Sequence, residues 1–256
     1  MDPLEAARAE VPMSFTVVVP ALNEEDNLGT TVETVLREFG SEAGFLEVLV
    51  FDDASTDGTG RVTDELAKRD SRVRAFHNPR RLNIGGIYKA GVAEARGEHV
   101  LLIPGDNETR VDEIVRGTRY APKADLVVFY ITNTEVRGRG RRLASWLYVR
   151  LVNLLFHERF RYTNGTNIFR TRVLRQIPIR TNGFSYQTEA VVRAVCGGVD
   201  WIEVGIELQK RKSGDSKALT LSNLRLVAQA LSSLWWDVMV RHRRRYPRPG
   251  QKLGSY

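Results

Sequence analysis

Residues Val100 to Glu108 read Val-Leu-Leu-Ile-Pro-Gly-Asp-Asn-Glu, an apolar run of strand length that stops at Pro104-Gly105. An apolar run bounded by such a turn signal predicts a buried strand. Asp106 and Asn107 follow directly, so the strand is expected to end in a polar site. Carboxylate and amide oxygens at the carboxyl end of a buried strand can hold a hard divalent cation, which would neutralise a diphosphate. This stretch therefore predicts a binding place for a phosphate-bearing ligand.

Strand-like and helix-like segments alternate on both sides of this stretch. Apolar, β-branched runs predict strands, and apolar residues at helical spacing predict helices of 10 to 15 residues. The strands are predicted at residues 15–20, 46–51, 73–77, 124–130 and 201–208, and the helices at 28–39, 59–69, 83–96 and 111–119. This alternation favours an α/β fold with a mainly parallel central sheet that is covered on both faces.

Composition excludes several classes of protein. The chain has 256 residues, of which 42% are hydrophobic and 27% charged, so a disordered or multispan membrane protein is not expected. A net charge of +7 implies an anionic partner, and nucleic acid is excluded because no nucleic-acid-binding motif accompanies the charge. The single cysteine, Cys196, excludes an internal disulfide and fits a reducing compartment. We therefore expect a cytoplasmic protein that is peripheral on the inner face of the membrane if it meets lipid.

Four regions are expected along the chain. The sequence predicts an N-terminal extension at residues 1–13 and a main domain at 14–219. It predicts an amphipathic C-terminal helix at 220–245 and a disordered tail at 246–256. Within the main domain, residues 143–156 are apolar nearly all round, with a flexible basic segment at 137–142 before them. A helix of that length is about 21 Å long, too short to span a membrane core. It is either a buried helix or one that lies at a lipid interface.

Asp52 and Asp53 end the second predicted strand and are followed by Ser55, Asp57 and Gly58. One interpretation is structural, because such residues cap the next helix and relieve a turn. The other is functional, because acidic residues at the carboxyl end of a strand accept hydrogen bonds from the ribose in dinucleotide sites. The residues alone leave both interpretations open.

Two further groups of polar residues are candidates for binding diphosphate and metal. Gln187 and Glu189 could complete a metal site with Asp106, although capping of a helix explains Glu189 equally well. The segment Arg211 to Lys217 is basic, and with Ser216 it could cradle a diphosphate or simply be a solvated face. The basic residues at 137–142 could likewise be a solvated face. They precede an apolar helix, however, and a phosphate on a lipid chain would bind favourably to basic residues beside an apolar surface.

Three motifs resemble those of family 2 glycosyltransferases of the GT-A fold, a Rossmann-like three-layer sandwich. They are Val-Val-Val-Pro-Ala-Leu-Asn-Glu-Glu-Asp-Asn27, then Asp-Asp-Ala-Ser-Thr-Asp-Gly-Thr59, then Asn-Ile-Gly-Gly-Ile-Tyr-Lys-Ala-Gly91. Ser185-Tyr-Gln-Thr-Glu189, Arg211 and Gly214-Asp-Ser-Lys217 are similar to the dolichol-phosphate mannose synthase and polyprenyl-phosphate glycosyltransferase branch. The resemblance implies transfer of a hexose from a nucleotide-diphosphate sugar to a polyprenyl phosphate, with a divalent metal, Mg²⁺ or Mn²⁺, and with inversion.

The resemblance also implies roles for individual residues. Asp106 and Gln187 would hold the metal, and Asp106, Glu189, Arg211 and Lys217 would form the catalytic group. The residues implied to bind substrate are Pro20, Asn23, Glu24, Asp52, Asp53, Gly85, Arg142, Ser145 and Ser216, and Asn153 also resembles an acceptor-segment position. Where the family commonly has Asp-x-Asp, this chain has Pro104-Gly105-Asp106. One carboxylate is absent, which weakens the attraction for a metal.

Two alternatives to sugar transfer onto a lipid phosphate follow from the same residues. The acceptor could be a hydroxyl of a sugar or small metabolite, which requires a proton acceptor, for which Glu189 is the candidate. The missing aspartate at position 104 also allows a noncatalytic protein that only binds a nucleotide-sugar. Contact with the membrane is expected through residues 143–156 and 221–245.

Overall fold

The computed structural model describes residues 13–41, 43–208, 221–241 and 250–256, with the backbone only for 221–226. Its strands are β1 (Met13–Ala21), β2 (Ala43–Asp52), β3 (Val73–His77), β4 (His99–Leu102), β5 (Leu126–Ile131), β6 (Asn167–Arg170), β7 (Trp201–Ile206) and β8 (Lys252–Ser255). Its helices are α1 (Leu28–Gly40), α2 (Thr59–Arg69), α3 (Ile84–Glu94), α4 (Val111–Thr118), α5 (Arg139–Phe156), α6 (Thr171–Leu174), α7 (Tyr186–Cys196) and α8 (Leu221–Trp235). A π-helical turn, Trp236–Arg241, continues α8, and the two together are called the C-terminal helix.

The eight described strands form one sheet in the order β3-β2-β1-β4-β6-β5-β7-β8. Neighbouring strands are parallel except at β6, which pairs antiparallel with both β4 and β5. The prediction of a mainly parallel sheet is therefore confirmed. Because the carboxyl ends of parallel strands share one edge, the loops after β1, β2 and β4 meet there.

Alternating side chains of the strands pack on the two faces of the sheet. On β1, Val17 and Val19 belong to the core under α1, whereas Val18 belongs to the core under α3 and α7. Both cores are fully apolar at these positions, as expected for strands buried on both faces. The result is a three-layer arrangement that holds the carboxyl edge of the sheet rigidly.

Two predictions about local structure are wrong. The tail was predicted to be disordered, but Lys252–Ser255 forms β8, which pairs parallel with β7, while residues 242–249 lie outside the described residues. Pro247, Pro249 and Gly250, which suggested disorder, precede β8 in the sequence and do not interrupt it, so the strand can pair with β7. The basic segment was predicted to be flexible, but α5 already begins at Arg139, and Arg142 donates its backbone N–H to the carbonyl of Gly138 at 3.1 Å.

The N-terminal extension falls outside the described residues except for Met13, which opens β1. The predicted C-terminal helix is described from Leu221 to Arg241. No helix within the described residues is long and apolar enough to cross a bilayer.

Candidate active site

The loops after β1 and β2 are joined by hydrogen bonds that involve two predicted site residues. The backbone N–H of Asn23 donates to Ser55 Oγ at 3.0 Å, and Thr56 N–H donates to Asn23 Oδ1 at 2.9 Å. Glu24 N–H donates to Thr59 Oγ1 at 2.8 Å. Asn23 has a positive φ of 57°, which asparagine adopts more readily than most residues. The two loops therefore form one platform at the carboxyl edge of the sheet.

Asp53 is buried at the end of β2 and holds the segment before α3. Its Oδ1 accepts hydrogen bonds from Asn78 Nδ2 at 2.9 Å and from Leu82 N–H at 2.7 Å, and its Oδ2 accepts one from Asn83 N–H at 3.0 Å. These three bonds engage both carboxylate oxygens, so the buried charge is compensated by the protein itself. The structural interpretation of Asp53 thus has direct support, and its role toward a nucleotide stays a prediction.

Asp52 lies beside Asp53 and contacts a different part of the chain. Its Oδ1 accepts a hydrogen bond from Ser55 N–H at 3.0 Å, and its Oδ2 lies 3.4 Å from His77 Nδ1. The hydrogen bond between His77 and Asp64, with that to Asp52 as a smaller contribution, raises the pKa of His77 above its usual value. Asp52 is therefore also engaged within the fold.

The segment after β4 approaches Pro20 at the same edge of the sheet. Gly105 N–H donates to the Pro20 carbonyl at 3.0 Å, and a Cβ added to Gly105 would lie 3.2 Å from that oxygen. Asp106 Oδ1 accepts a hydrogen bond from Glu108 N–H at 3.1 Å. Asp106 is thus placed beside the loop after β1, as the order of the parallel strands requires.

Several carboxylates share this part of the edge. The pKa of Glu24 is raised mainly by burial and further by the negative charges of Asp106, Glu108 and Asp57, while a hydrogen bond from Asn27 opposes the shift. Carboxylates that repel one another favour a bound cation. Among the described residues, however, no three Cys, His, Asp or Glu side chains lie close enough together to hold one metal ion. The arrangement fits a cation such as Mg²⁺, which takes one or two protein carboxylates and fills its remaining positions with phosphate and water.

Gln187 lies in the core at the start of α7. Its Oε1 accepts a hydrogen bond from Asn167 Nδ2 at 3.0 Å, and its Nε2 donates to the Tyr186 hydroxyl at 3.1 Å. Both ends of the amide are therefore engaged by buried neighbours, which explains a polar residue at this place. Its role as a metal ligand stays a prediction.

Glu189 is also buried on α7 and belongs to a network of charges. Its Oε1 accepts a hydrogen bond from Arg193 Nε at 2.9 Å, and its Oε2 accepts bonds from the backbone N–H groups of Arg180 and Thr181 at 3.1 and 2.8 Å. Arg193 Nη1 in turn donates to Asp237 Oδ2 of the C-terminal helix at 2.6 Å. These contacts explain Glu189 as a residue that fixes the chain before α7, and they leave less support for a proton-accepting role.

Gly85 at the start of α3 contacts the same segment. Its N–H donates to the Asn182 carbonyl at 3.0 Å, and a Cβ at this position would lie only 2.7 Å from the Thr181 carbonyl oxygen. A side chain cannot be accommodated without moving the backbone. Close packing therefore accounts for this glycine, and substrate binding by Gly85 stays a prediction.

A cavity of about 720 Å³ lies beside α5 and brings three predicted acceptor residues together. Arg142, Ser145 and Asn153 all line it. Five arginines contribute to its wall, namely Arg137, Arg142, Arg150, Arg159 and Arg161. We call it the arginine cavity, and its charge suits an anion.

Aromatic rings position three of these arginines. The guanidinium carbons of Arg137, Arg150 and Arg161 lie 5.6, 5.3 and 4.6 Å from the ring centres of Tyr162, Trp146 and Tyr130. A ring orients a guanidinium group without neutralising its charge. In addition, Arg137 Nε is buried and has no hydrogen-bond partner among the described residues. The cavity therefore presents oriented positive charge.

Arg150, Arg159, Arg161 and Tyr162 were not identified from the sequence. The available signal is the alternation of arginine and aromatic residues in Arg159-Phe-Arg-Tyr162, directly after α5. Arg211, Ser216 and Lys217, which were predicted to bind diphosphate, lie outside the described residues.

One face of α5 is exposed and apolar. Five of its large side chains are between 45 and 72% exposed, and we call them the apolar stripe: Leu143, Trp146, Leu147, Leu151 and Leu154. The opposite face packs into the core through Val149, Val152 and Phe156. Trp146 belongs to the stripe and also lines the arginine cavity, so the two surfaces adjoin.

Comparison with known proteins identifies what this chain is similar to. The sequence profile of the family described as Glycosyl transferase family 2 matches residues 16–178. The undecaprenyl-phosphate mannosyltransferase of Micrococcus luteus is 31% identical over 221 residues, which cover 80% of this chain and 87% of that protein. Glycosyltransferase AglD of Haloferax volcanii is 27% identical over 93% of this chain, but the chain spans only 39% of that protein's length.

A solved structure shows that the fold is shared more widely. Glucosyl-3-phosphoglycerate synthase from Mycobacterium tuberculosis, in complex with Mn²⁺, UDP and phosphoglyceric acid, superposes with a TM-score of 0.63 at 17% identity. The match covers 88% of this chain and 78% of that one. The expected GT-A fold is thereby confirmed.

Proposed function

This chain belongs to glycosyl transferase family 2 and is a glycosyltransferase, and on that premise we propose that it transfers a hexose from a nucleotide-diphosphate sugar to a polyprenyl phosphate. The observation that carries the proposal is the arginine cavity adjoining the apolar stripe of α5. A lipid phosphate needs both a cationic site for its headgroup and an apolar surface for its chain. The name of the Micrococcus luteus relative supports the same acceptor class.

In this proposal the donor lies at the carboxyl edge of the sheet. Pro20, Asn23, Glu24, Asp52 and Asp53 would surround its nucleotide. Arg211, Ser216 and Lys217 would bind its phosphates. The platform formed by the loops after β1 and β2 supports this placement because hydrogen bonds within the protein fix it.

A divalent metal ion is part of the proposal. Asp106 would hold it together with the donor diphosphate, and Gln187 is the second proposed protein ligand. The negative charge shared by Glu24, Asp106 and Glu108 supports a cation at this place, as does the Mn²⁺ and UDP complex of the structural neighbour. A cation bound there stabilises the charge that develops on the departing diphosphate.

The reaction would be a single displacement with inversion. An oxygen of the acceptor phosphate bonds to the anomeric carbon, and the bond from that carbon to the diphosphate breaks with its electrons. A phosphate is already anionic at neutral pH, so no strong general base is needed. The engagement of both Glu189 oxygens by Arg193, Arg180 and Thr181 favours this acceptor over a hydroxyl.

Contact with a membrane surface would bring the acceptor to the enzyme. The apolar stripe and the exposed Trp235 and Trp236 of the C-terminal helix lie on elements that pack against each other. Tryptophan is favoured at membrane interfaces, and arginines nearby would attract anionic headgroups. We propose peripheral binding to the inner face of the membrane through these residues.

The proposal is tested with radiolabelled nucleotide-sugars and undecaprenyl phosphate in vesicles. We expect chloroform-extractable radioactive product with at least one donor. The Arg142→Gln variant should raise KM for the acceptor about tenfold, since a charge-assisted bond is lost, and leave KM for the donor unchanged. Arg61→Gln, at an exposed arginine of α2, is the control and should behave as wild type. Absence of extractable product with every donor and acceptor chain length would overturn the proposal.

A further inference from the structure

Among the described residues that line the arginine cavity, Glu158 is the only carboxylate. The residue is half-buried, and five arginines share the cavity wall with it. Even so, its carboxylate makes no hydrogen bond and no ion pair with the part of the chain that the structure describes. Glu158 therefore offers its carboxylate to a ligand of the cavity rather than to a partner in the described part of the chain.

The backbone around Glu158 is held firmly. Its N–H donates to the Asn153 carbonyl at 3.1 Å, directly after His157, whose φ of 59° is left-handed. Asn153 fixes the same turn from its side chain, because Nδ2 donates to the Phe160 carbonyl and Oδ1 accepts from Phe160 N–H, both at 2.9 Å. The position of Glu158 is therefore set by the turn that ends α5, and the side chain is kept at the cavity wall.

Burial raises the pKa of Glu158 to about 6. The titratable and charged groups that share the cavity wall with it are Arg137, Arg142, Arg150, Arg159, Arg161 and Tyr162, and Cys196 on α7 lies close enough to be affected by its charge. Burial, with the negative charge of Glu158 as a smaller cause, raises the pKa of the Cys196 thiol to about 12, so this cysteine stays neutral. Glu158 is thus the group of the cavity that changes charge near neutral pH.

We propose that Glu158 shares one proton with the acceptor phosphate and thereby determines which ionisation state of the acceptor the cavity binds. This inference rests on the proposed function, which places a phosphate monoester in the cavity. An ionised Glu158 would repel a phosphate dianion, whereas the neutral acid donates a hydrogen bond to it. The arginines of the cavity, of which Arg161 also lies 3.8 Å from the Glu203 carboxylate, then meet two negative charges on the phosphate, and Glu158 adds none.

The sugar transfer remains balanced with this proton in place. The acceptor reacts as the dianion, one of its oxygens bonds to the anomeric carbon, and the electrons of the broken bond leave with the diphosphate. The proton stays on the Glu158 carboxyl throughout, and the product is a monoanionic phosphodiester. No further reactant is required.

The sign of the pH dependence follows from the proton count. The second ionisation of a phosphate monoester has a pKa near 6, similar to that of Glu158. Above pH 7 both free partners are ionised, so binding takes up one proton and the dissociation constant should rise about tenfold per pH unit. In Glu158→Gln the amide cannot ionise but can donate, and the dissociation constant should change little between pH 7 and 8.

Calorimetric titration with water-soluble geranyl phosphate at pH 7 and pH 8 tests this inference. Wild type should show the tenfold weakening, Glu158→Gln should show less than a twofold change, and Glu135→Gln, at an exposed glutamate outside the cavity wall, should match wild type. Titration of wild type at pH 8 in buffers of different ionisation enthalpy should give an uptake of about one proton, a result that needs no variant.

The outcomes separate this inference from the proposed function. Equal pH dependence in wild type and Glu158→Gln, or no proton uptake, would overturn the role of Glu158 while leaving the acceptor class intact. No binding of geranyl phosphate at any pH would overturn both. Inorganic phosphate serves as a second probe: because its own second pKa is higher than that of a monoester, its binding should weaken from pH 7 to pH 8 by less than that of geranyl phosphate, and a flat or strengthening profile contradicts proton sharing with the phosphate group itself.

Discussion

Asp106 follows β4 at the carboxyl edge of the sheet, near the carboxylates of Glu24 and Glu108. We expect Asp106→Asn to lower kcat about a hundredfold or more, since an amide oxygen carries no charge to hold a divalent cation against the diphosphate. Binding of the preferred nucleoside diphosphate should also lose its dependence on Mn²⁺, which thermal-shift titration with and without Mn²⁺ would measure.

The matched control for this residue is Asp26→Asn. Asp26 is an exposed aspartate in the loop after β1, at the same edge of the sheet. It should retain both activity and the Mn²⁺ dependence of nucleotide binding. If Asp26→Asn and Asp106→Asn lose Mn²⁺ dependence to the same extent, the metal role of Asp106 is wrong and only the total negative charge matters.

At the scale of residues, the sequence identified polar positions correctly but could not choose between their partners. Asp53 and Glu189 were noted as candidate ligand groups, yet their oxygens accept hydrogen bonds from Leu82, Asn83, Arg180 and Thr181. Those partners lie on segments that only the folded chain brings near. A motif indicates that a carboxylate is required at a position. The tertiary contacts of that carboxylate then show whether it stabilises the fold or is available to a ligand.

The exposed face of α5 leads to a prediction at the scale of elements. Replacing both Leu147 and Leu151 with serine removes two members of the apolar stripe, and neither side chain belongs to the buried face of the helix. We expect binding to anionic vesicles to weaken at least tenfold in a sedimentation assay, because apolar area is lost from the interface. Binding of inorganic phosphate, which needs the arginine cavity and not the stripe, should stay within a factor of two.

Phe45→Ser provides the control for that double variant. Phe45 is also a large exposed apolar residue, but it lies on β2 and not on the stripe. Vesicle binding should be unchanged in this variant. Equal weakening by Phe45→Ser would mean that general hydrophobicity, and not the stripe, drives the association.

Elements were predictable where periodicity was strong. The helices α1 and α2 and the strands β1 and β2 lie where apolar spacing predicts them. The antiparallel strand β6 was not predicted as a strand, because four residues carry too little periodicity to identify one. The first turn of α5 was missed for another reason. The glycines and arginines at 138–142 were predicted to form a flexible segment, but α5 begins at Arg139.

At the scale of the whole molecule, β8 joins the C-terminal segment to the sheet around a buried charge. Glu203 on β7 is fully buried, and it pairs with Lys252 of β8 and accepts a hydrogen bond from Arg161 N–H at 2.7 Å. Lys252→Met should lower the free energy of unfolding by about 2 kcal/mol, since a buried carboxylate loses an ionic partner. Urea denaturation would measure the change.

The neighbouring residue on the same strand supplies the comparison. Leu253 is exposed, so Leu253→Ser should change the free energy of unfolding by no more than about 0.5 kcal/mol. Equal effects of the two substitutions would show that the pairing of β8, and not the charge on Lys252, stabilises this edge.

The overall architecture could be anticipated from the alternation of strands and helices, and the motifs indicated the carboxyl edge of the sheet. The arginine cavity could not be anticipated from the sequence. Arg137, Arg150 and Arg161 are brought together only by the turn after α5 and by their aromatic partners. Neither spacing nor charge in the sequence encodes that proximity.

The position of α8 between two neighbouring parallel strands has a mechanical consequence. Because β7 and β8 run side by side in the same direction, the chain must leave one end of the sheet, pass through the C-terminal helix and return to the other end. Asp237, in the turn that ends this helix, pairs with the buried Arg193 of α7. If a bilayer pulls on this helix, the force therefore reaches the ion pair of Asp237 with Arg193 and, through it, the core helix α7.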